Sequence, residues 1–214
     1  MALSKVDFNN INVTPAASKK LKFNSSANGF ETGDVGGSLV LISTQTASSS
    51  STISFTSGID STYDSYVFKF YDIHPATSSS LFTFQADTGT NTNYNQTITS
   101  TNFRAKHTEA DGGTGLEYRT ARDQAQGTAF QQISEGIEND NDSSLSGTLQ
   151  IFSPSSDTFV KHFISRCNGM IVNPGTQETF CAGYFNTTTA LTRFQFKMSS
   201  GNIDSGVIKL YGVT

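Results

Sequence analysis

An all-β fold is what this sequence predicts, and three observations predict it. Ser and Thr make up more than a quarter of the 214 residues, and hydroxyl and β-branched side chains suit strands and turns better than helix interiors. Short segments that alternate apolar with polar residues recur along most of the chain, the pattern of sheets that bury one face and wet the other. Phe is abundant at 17, Trp is absent, and no long run of Leu, Ala, Glu and Lys supplies a helix. Ten or so short strands in one domain imply a two-sheet antiparallel sandwich. A jelly-roll-like topology leads, with other Greek-key sandwiches behind it.

Residues 1–37 read differently from the rest. "NNINVTPAASKKLKFNSSANGFETGDVGG" is polar, is broken by Pro15 and by four glycines, and keeps no sustained period. Only isolated apolar residues occur: Val6, Phe8, Ile11, Val13, Leu21 and Phe23. Such a segment reads as an extended N-terminal arm that lies over another surface rather than packing its own core, with a flexible tail as the alternative.

Residues 38–214 carry the sandwich, and its strands follow in order. "SLVLISTQ" is apolar enough for burial on both faces. "STISFTSG" sets Ile53 and Phe55 on one side, and "SYVFKFYDI" aligns Tyr66, Phe68 and Phe70 against Val67, Lys69 and Tyr71. "LFTFQAD" groups Phe82, Phe84 and Ala86, while "NYNQTITSTNF" is weaker and more polar. "GTLQIFSP" pairs Leu149 with Ile151, and "TFVKHFISR" and "ETFCAGYFN" follow as mostly apolar runs. "TRFQFKM" places Phe194, Phe196 and Met198 together, and "GVIKLYGV" does the same for Ile208 and Leu210. Connectors such as "DTGTNTN", "ENDNDSS" and "MSSGNIDSG" supply turn residues. "TARDQAQGTAFQQI" has room for a short helical piece. "SGIDS" at 57–61 and "SGNIDS" at 200–205 echo one another, which shared turn chemistry explains without a repeat.

Charge and composition exclude several function classes. Only 15% of residues are charged and the net charge is −4, so no general field attracts a phosphate backbone and nucleic acid is a poor partner. No apolar run reaches membrane-spanning length, and "MALSKVDFNN" lacks the apolar core of a secretion signal. Cys167 and Cys181 sit in strand-like apolar contexts and read as buried free thiols.

Catalytic and metal patterns are weak. Asp60 and Asp64 precede the strand "SYVFKFYDI", whereas Asp72 and His74 close it. At about 3.3 Å per residue, Asp64 and Asp72 stand roughly 26 Å apart, too far for paired carboxylates, so they read as strand-end residues. His107, Glu109 and Asp111 are the best metal candidates, yet match no zinc or calcium spacing and read as a polar loop. His162 reads as a satisfied, half-buried side chain. No Gly-x-Ser-x-Gly elbow occurs, and "GGTG" at 112–115 lacks the Lys of a phosphate loop. The sequence therefore predicts no enzyme, no cofactor and no metal.

The stretch "GSLVLISTQTASSSSTISFTSGIDSTYDSYVFKFYDIHPATSSSLFTFQ" and the closing "SGVIKLYGVT" together resemble virion structural proteins of tailed bacteriophages, especially marine phages of cyanobacteria and other ocean bacteria. The resemblance runs from about Gly37 to Thr214, and the Met1 to Gly36 arm is similar in style to the particle-attachment ends of such proteins, which implies that Val6, Phe8, Ile11, Val13, Leu21 and Phe23 dock on the particle or on a neighbouring subunit. It implies a non-enzymatic β-sandwich assembled in the host cytoplasm and displayed on the virion as a homo-oligomer, a trimer being favoured. Its partners would be other virion proteins. As a tail appendage it would also contact a host-surface glycan or receptor; as a capsid decoration it would cement the major capsid protein. A free carbohydrate-binding module is the reading from another class.

Overall fold

The structure, a computed structural model, describes residues 13–14, 19–34, 38–171 and 173–214. Among these residues every regular element is a β-strand, and the strands form antiparallel sheets. The "TARDQAQGTAFQQI" stretch holds no helix: Gln131 Nε2 donates to Arg122 O at 2.9 Å and Gln124 Nε2 to Ala129 O at 3.1 Å, which folds the segment back on itself. Two compact units divide the chain, Met1–Ser38 and Leu39–Thr214.

The first unit contains a hairpin where extended chain was expected. Strand β1 (Lys19–Phe23) pairs with β2 (Phe30–Asp34), from Lys19 opposite Asp34 to Phe23 opposite Phe30. The turn is closed by Asn24, whose N–H donates to Gly29 O at 2.9 Å and whose Oδ1 accepts from Asn28 N at 3.2 Å. Asparagine bonding to its own local backbone is the turn chemistry that the sequence carried without a strand pattern around it. Phe23 and Phe30 stack at 4.9 Å between centroids, and Lys22 pairs with Glu31 at 3.1 Å.

The second unit holds twelve strands: β3 (Leu39–Ser50), β4 (Ile53–Phe55), β5 (Ser65–Pro75), β6 (Phe82–Thr88), β7 (Ile98–Thr108), β8 (Gly115–Tyr118), β9 (Gln131–Gln132), β10 (Leu145–Phe152), β11 (Lys161–Met170), β12 (Gly175–Phe185), β13 (Leu191–Met198) and β14 (Ile203–Val213). One sheet has eight strands in the order β3-β14-β5-β10-β11-β12-β7-β8, and the other has four in the order β4-β13-β6-β9. The fold is thus an all-β antiparallel sandwich. Its division into eight and four differs from the eight strands in all of a simple jelly roll.

Alternation explains the core. Tyr66, Phe68 and Phe70 of β5 are buried, as are Phe194, Phe196 and Met198 of β13, Phe82 and Phe84 of β6, and Ile53 and Phe55 of β4. Phe196 is the hub: its ring lies 5.0 Å from Phe68, 5.3 Å from Phe70, 5.7 Å from Phe82, 6.1 Å from Phe55 and 6.4 Å from Phe84. Edge-on contacts dominate, the arrangement that the ring quadrupole favours.

Two sequence expectations are corrected here. "SLVLISTQ" was expected to be buried on both faces, but it begins β3, which ends the eight-stranded sheet, so Val40 and Leu41 are exposed. His162 was expected to be half-buried, but β11 turns it outward and buries Lys161, whose Nζ donates to Thr187 O at 3.1 Å. The "SGIDS" and "SGNIDS" echo is turn chemistry in fact. Gly58 and Gly201 have φ of 82° and 68°, a region open to glycine, and the following Ile59 and Ile203 are buried.

Candidate interaction face

Strand alternation that buries one face of the eight-stranded sheet sends the intervening side chains outward. Cross-strand register then lines them into rows. One row runs Lys209–Lys69–Thr148–Arg166–Phe180–Phe103–Tyr118, each residue opposite the next. A parallel row runs Leu41–Tyr211–Val67–Gln150–Ile164–Ala182–Thr101. Rings and aliphatic side chains therefore gather toward both edges of the sheet, on β3, β14 and β5 and on β11, β12, β7 and β8, with Thr148 and Gln150 of β10 between them. Leu116 and Ile164 are 73% and 55% exposed, and Tyr118 is 54% exposed.

The aromatic part of this face is ordered by stacking. Phe103 and Phe180 lie 4.7 Å apart with planes 8° from parallel, and the Arg166 guanidinium sits 5.2 Å from the Phe180 ring. Arg166 is fixed in turn by an ion pair with Glu178. Tyr118 donates to Asp123 Oδ2 at 2.6 Å. Both faces of Phe180 are thereby occupied, so it cannot serve as a flat platform for a sugar ring. Further along the sheet, Lys69 covers Tyr211 at 5.4 Å and Lys209 covers Tyr71 at 5.3 Å.

Beside the stack is a depression of about 480 Å³. Ala182 and Gly183 floor it, because small residues leave the sheet backbone close to the surface. Phe152, Ile164, His162 and Tyr184 line it, with His162 edge-on to Tyr184 at 5.9 Å. Only Thr99, Thr101, Ser100 and the ring polar atoms interrupt the apolar lining. A groove of this kind accepts apolar side chains and offers a few hydrogen bonds for orientation.

The most concentrated charge lies elsewhere, between the sheet and the connector over residues 119–144. Glu135 is 6% exposed and accepts from Arg119 Nε at 2.6 Å and from Arg122 Nη2 at 3.1 Å, while Arg104 stands 3.6 Å away. Burial pushes the Glu135 carboxyl up, but the hydrogen bonds from Arg119 and Arg122 outweigh it and hold the carboxyl below its ordinary range. Glu117 binds Arg104 at 2.9 Å and is lowered chiefly by that hydrogen bond. Each carboxylate is satisfied by guanidinium groups, which makes the network a brace rather than an acid or a base.

The residues singled out in the sequence are dispersed. Asp60 accepts from Thr62 N at 2.8 Å and from the Tyr66 hydroxyl at 3.1 Å, before β5. Asp72 and His74 lie near the other end of β5, where His74 faces Asp204 at 3.7 Å and contacts Asp140 O at 3.1 Å. His107 pairs with Asp111 at 3.4 Å across the turn after β7. Among the described residues no three His, Cys, Asp or Glu side chains converge to hold a metal. Cys167 and Cys181 are buried and unpaired, and burial pushes both thiols up to about 12. Of the six arm residues, Val6, Phe8 and Ile11 lie outside the described residues. Val13 is half-buried, and Leu21 and Phe23 are 44% and 65% exposed on the hairpin.

The outer face itself had no single sequence signal. Phe103 and Phe180 are far apart in the chain, and only the β7–β12 register brings them together. Their alternation with buried residues was the one available clue. Comparison of the chain with protein-family models, with curated proteins and with solved structures finds no match.

Proposed function

We propose that this chain is a non-enzymatic structural subunit of a tailed-bacteriophage virion, a tail appendage or fibre-like component. Residues 1–37 attach it to the particle, and the outer face of its eight-stranded sheet contacts other virion proteins. The observation that carries the reading is that face: Leu41 at one edge of the sheet and Ile164, Phe103, Leu116 and Tyr118 toward the other are exposed, where a protein acting alone keeps such patches small. The virion as its location rests on the sequence resemblance, and its assembly in the host cytoplasm rests on the same ground. The exposed Leu21, Phe23 and Phe30 add a second apolar surface suited to docking.

Mass spectrometry of purified virions tests the proposal. A few to tens of copies per particle fit a tail appendage. Hundreds of copies overturn the tail placement in favour of capsid decoration, and absence from virions overturns the reading entirely. Deletion of residues 1–36 is expected to leave a folded domain that no longer enters particles; normal incorporation would remove the attachment role.

A further inference from the structure

Strand β3 is an open edge with few of the usual defences. Among the described residues it ends the eight-stranded sheet and pairs only with β14, which leaves the N–H and C=O groups on one side of its backbone open. Natural edges are commonly blunted by Lys, Pro, shortness or a bulge. β3 runs for 12 residues, "LVLISTQTASSS", with no charge and no proline. One bulge is present, where Ile42 has no opposite residue between Leu41–Tyr211 and Ser43–Leu210. The far end caps itself, with Ser48 N–H donating to Ser50 Oγ at 3.2 Å. Between these two features, Ser43–Ala47 is regular, uncharged and unpartnered on its outer side among the described residues.

We propose that two copies of this chain join edge to edge through β3, antiparallel about a two-fold axis beside Gln45, to make one continuous sheet. Residues directly opposite in a sheet share a face, so a two-fold axis must pass beside a residue and not between two. Centring it on Gln45 sets Thr44 opposite Thr46 and Gln45 opposite its own copy. The first is a hydroxyl, β-branched pair that stabilises sheets, and the second brings amides together. No like charges meet, as they would on almost any charged edge. The other open edges of the unit fit less well: β8 has 4 residues, β4 has 3 and β9 has 2. Among these edges only a second β3 offers a partner of matching length. Pairing also continues the exposed face, because Leu39 and Leu41 stand beside Val213 and Tyr211 at this edge. The proposal goes beyond the virion reading, since the edge is the same whatever particle the protein serves.

A cysteine series in the full chain tests it. Opposed Cα atoms in an antiparallel pair lie about 4.5–5.5 Å apart, within disulfide reach. Cys167 and Cys181 are buried, so an introduced thiol on β3 is the one that oxidation reaches. Gln45→Cys is expected to form a cross-linked dimer under mild oxidation. Thr44→Cys and Thr46→Cys are expected to link efficiently only when mixed with each other. Linking of either alone moves the axis along the strand and still supports the pairing. Sedimentation of the unmodified chain is expected to give a dimer, and Gln45→Lys is expected to weaken it at least tenfold, with circular dichroism unchanged. A monomer whose cysteine variants stay unlinked overturns the proposal. So does a dimer that tolerates Gln45→Lys and links at none of the three positions. Absence from virions, by contrast, would touch only the function proposed above.

Discussion

The two ends of β11 and β12 face different interiors. At one end Phe163 and Phe185 pack against Phe84 at 5.1 and 6.0 Å, under the four-stranded sheet. At the other, Ser165, Thr179 and Gln177 are equally buried but polar. Sheet width explains the contrast. Strands repeat at about 4.8 Å, so four strands cover roughly half the breadth of eight. The rest is roofed by the connector from Arg119 to Ser144, of which only Gln131–Gln132 (β9) joins the four-stranded sheet, and such a connector brings backbone amides and carbonyls that must be satisfied. Asn102 donates to Gln132 O at 3.2 Å, Ser100 donates to Gln131 Oε1 at 2.7 Å, and Arg119 N donates to Asn102 O at 2.8 Å. A core roofed by a sheet is aromatic; a core roofed by a loop is a hydrogen-bond network.

The largest expected effect breaks the aromatic end. Phe196→Ala removes a fully buried ring that touches five others and leaves a cavity between two sheets that cannot close. A loss of about 3–5 kcal/mol is expected in equilibrium denaturant unfolding. A loss below about 1 kcal/mol would mean that this end is packed loosely and that the contrast between the two ends is false.

The polar end is expected to answer to pH as well as to substitution. Glu135→Gln leaves Arg119 and Arg122 without their carboxylate. Breaking a fully buried pair costs about 3–5 kcal/mol, but both guanidinium groups keep some water, so about 2–3 kcal/mol is expected. Because the folded carboxyl lies below its ordinary 4.5, its contribution is complete above that pH. It fades as pH falls through the lowered value. The stability gap between the unmodified chain and Glu135→Gln should therefore narrow in acid, read from denaturant midpoints at pH 7 and below pH 4. A gap that stays constant would place the acid sensitivity on other carboxylates.

What the sequence made legible follows the same division. Tyr66, Phe68 and Phe70, or Phe194, Phe196 and Met198, could be assigned to the core because local alternation alone decides their face. Thr83, Gln85 and Asp87 alternate equally well and would be read as the wet side of β6, yet all three are buried. Irregular segments cover this side of β6: Gln85 Nε2 donates to Gln96 O at 2.9 Å and to Ala129 O at 3.1 Å, and Asp87 accepts from Tyr94 N at 2.8 Å and Gln96 Nε2 at 3.1 Å. The "LVLI" run failed for a related reason, since an edge and a central strand differ in their neighbours and not in their own residues. Glu135 with Arg119 and Arg122 was invisible because a long irregular segment carries them to the site. Little of the candidate face was legible: Val67, Lys69 and Tyr71 were set opposite the core side of their strand, but Phe103, Leu116, Tyr118, Ile164 and Phe180 were assigned no face, and the rows depend on register.

The outer face should behave unlike either interior end. Phe103→Ser and Leu116→Ser remove side chains that are 40% and 73% exposed, so in the lone chain Leu116 touches mostly water, while Phe103 rests on the Phe180 ring. Phe103 loses its stack on Phe180, worth about 0.5–1.5 kcal/mol at most, and Leu116→Ser should fall within about 0.5 kcal/mol of the unmodified chain. Under the function proposed above, incorporation into virions is where these variants should show their effect, because burying such side chains against a partner contributes about 1.5–3 kcal/mol each. Competition between tagged and untagged chains during phage assembly reads that difference directly. If Leu116→Ser and Phe103→Ser chains enter particles as often as the unmodified chain, the exposed face is not the contact surface, and assembly rests on the hairpin side chains Leu21, Phe23 and Phe30 or on the β3 edge.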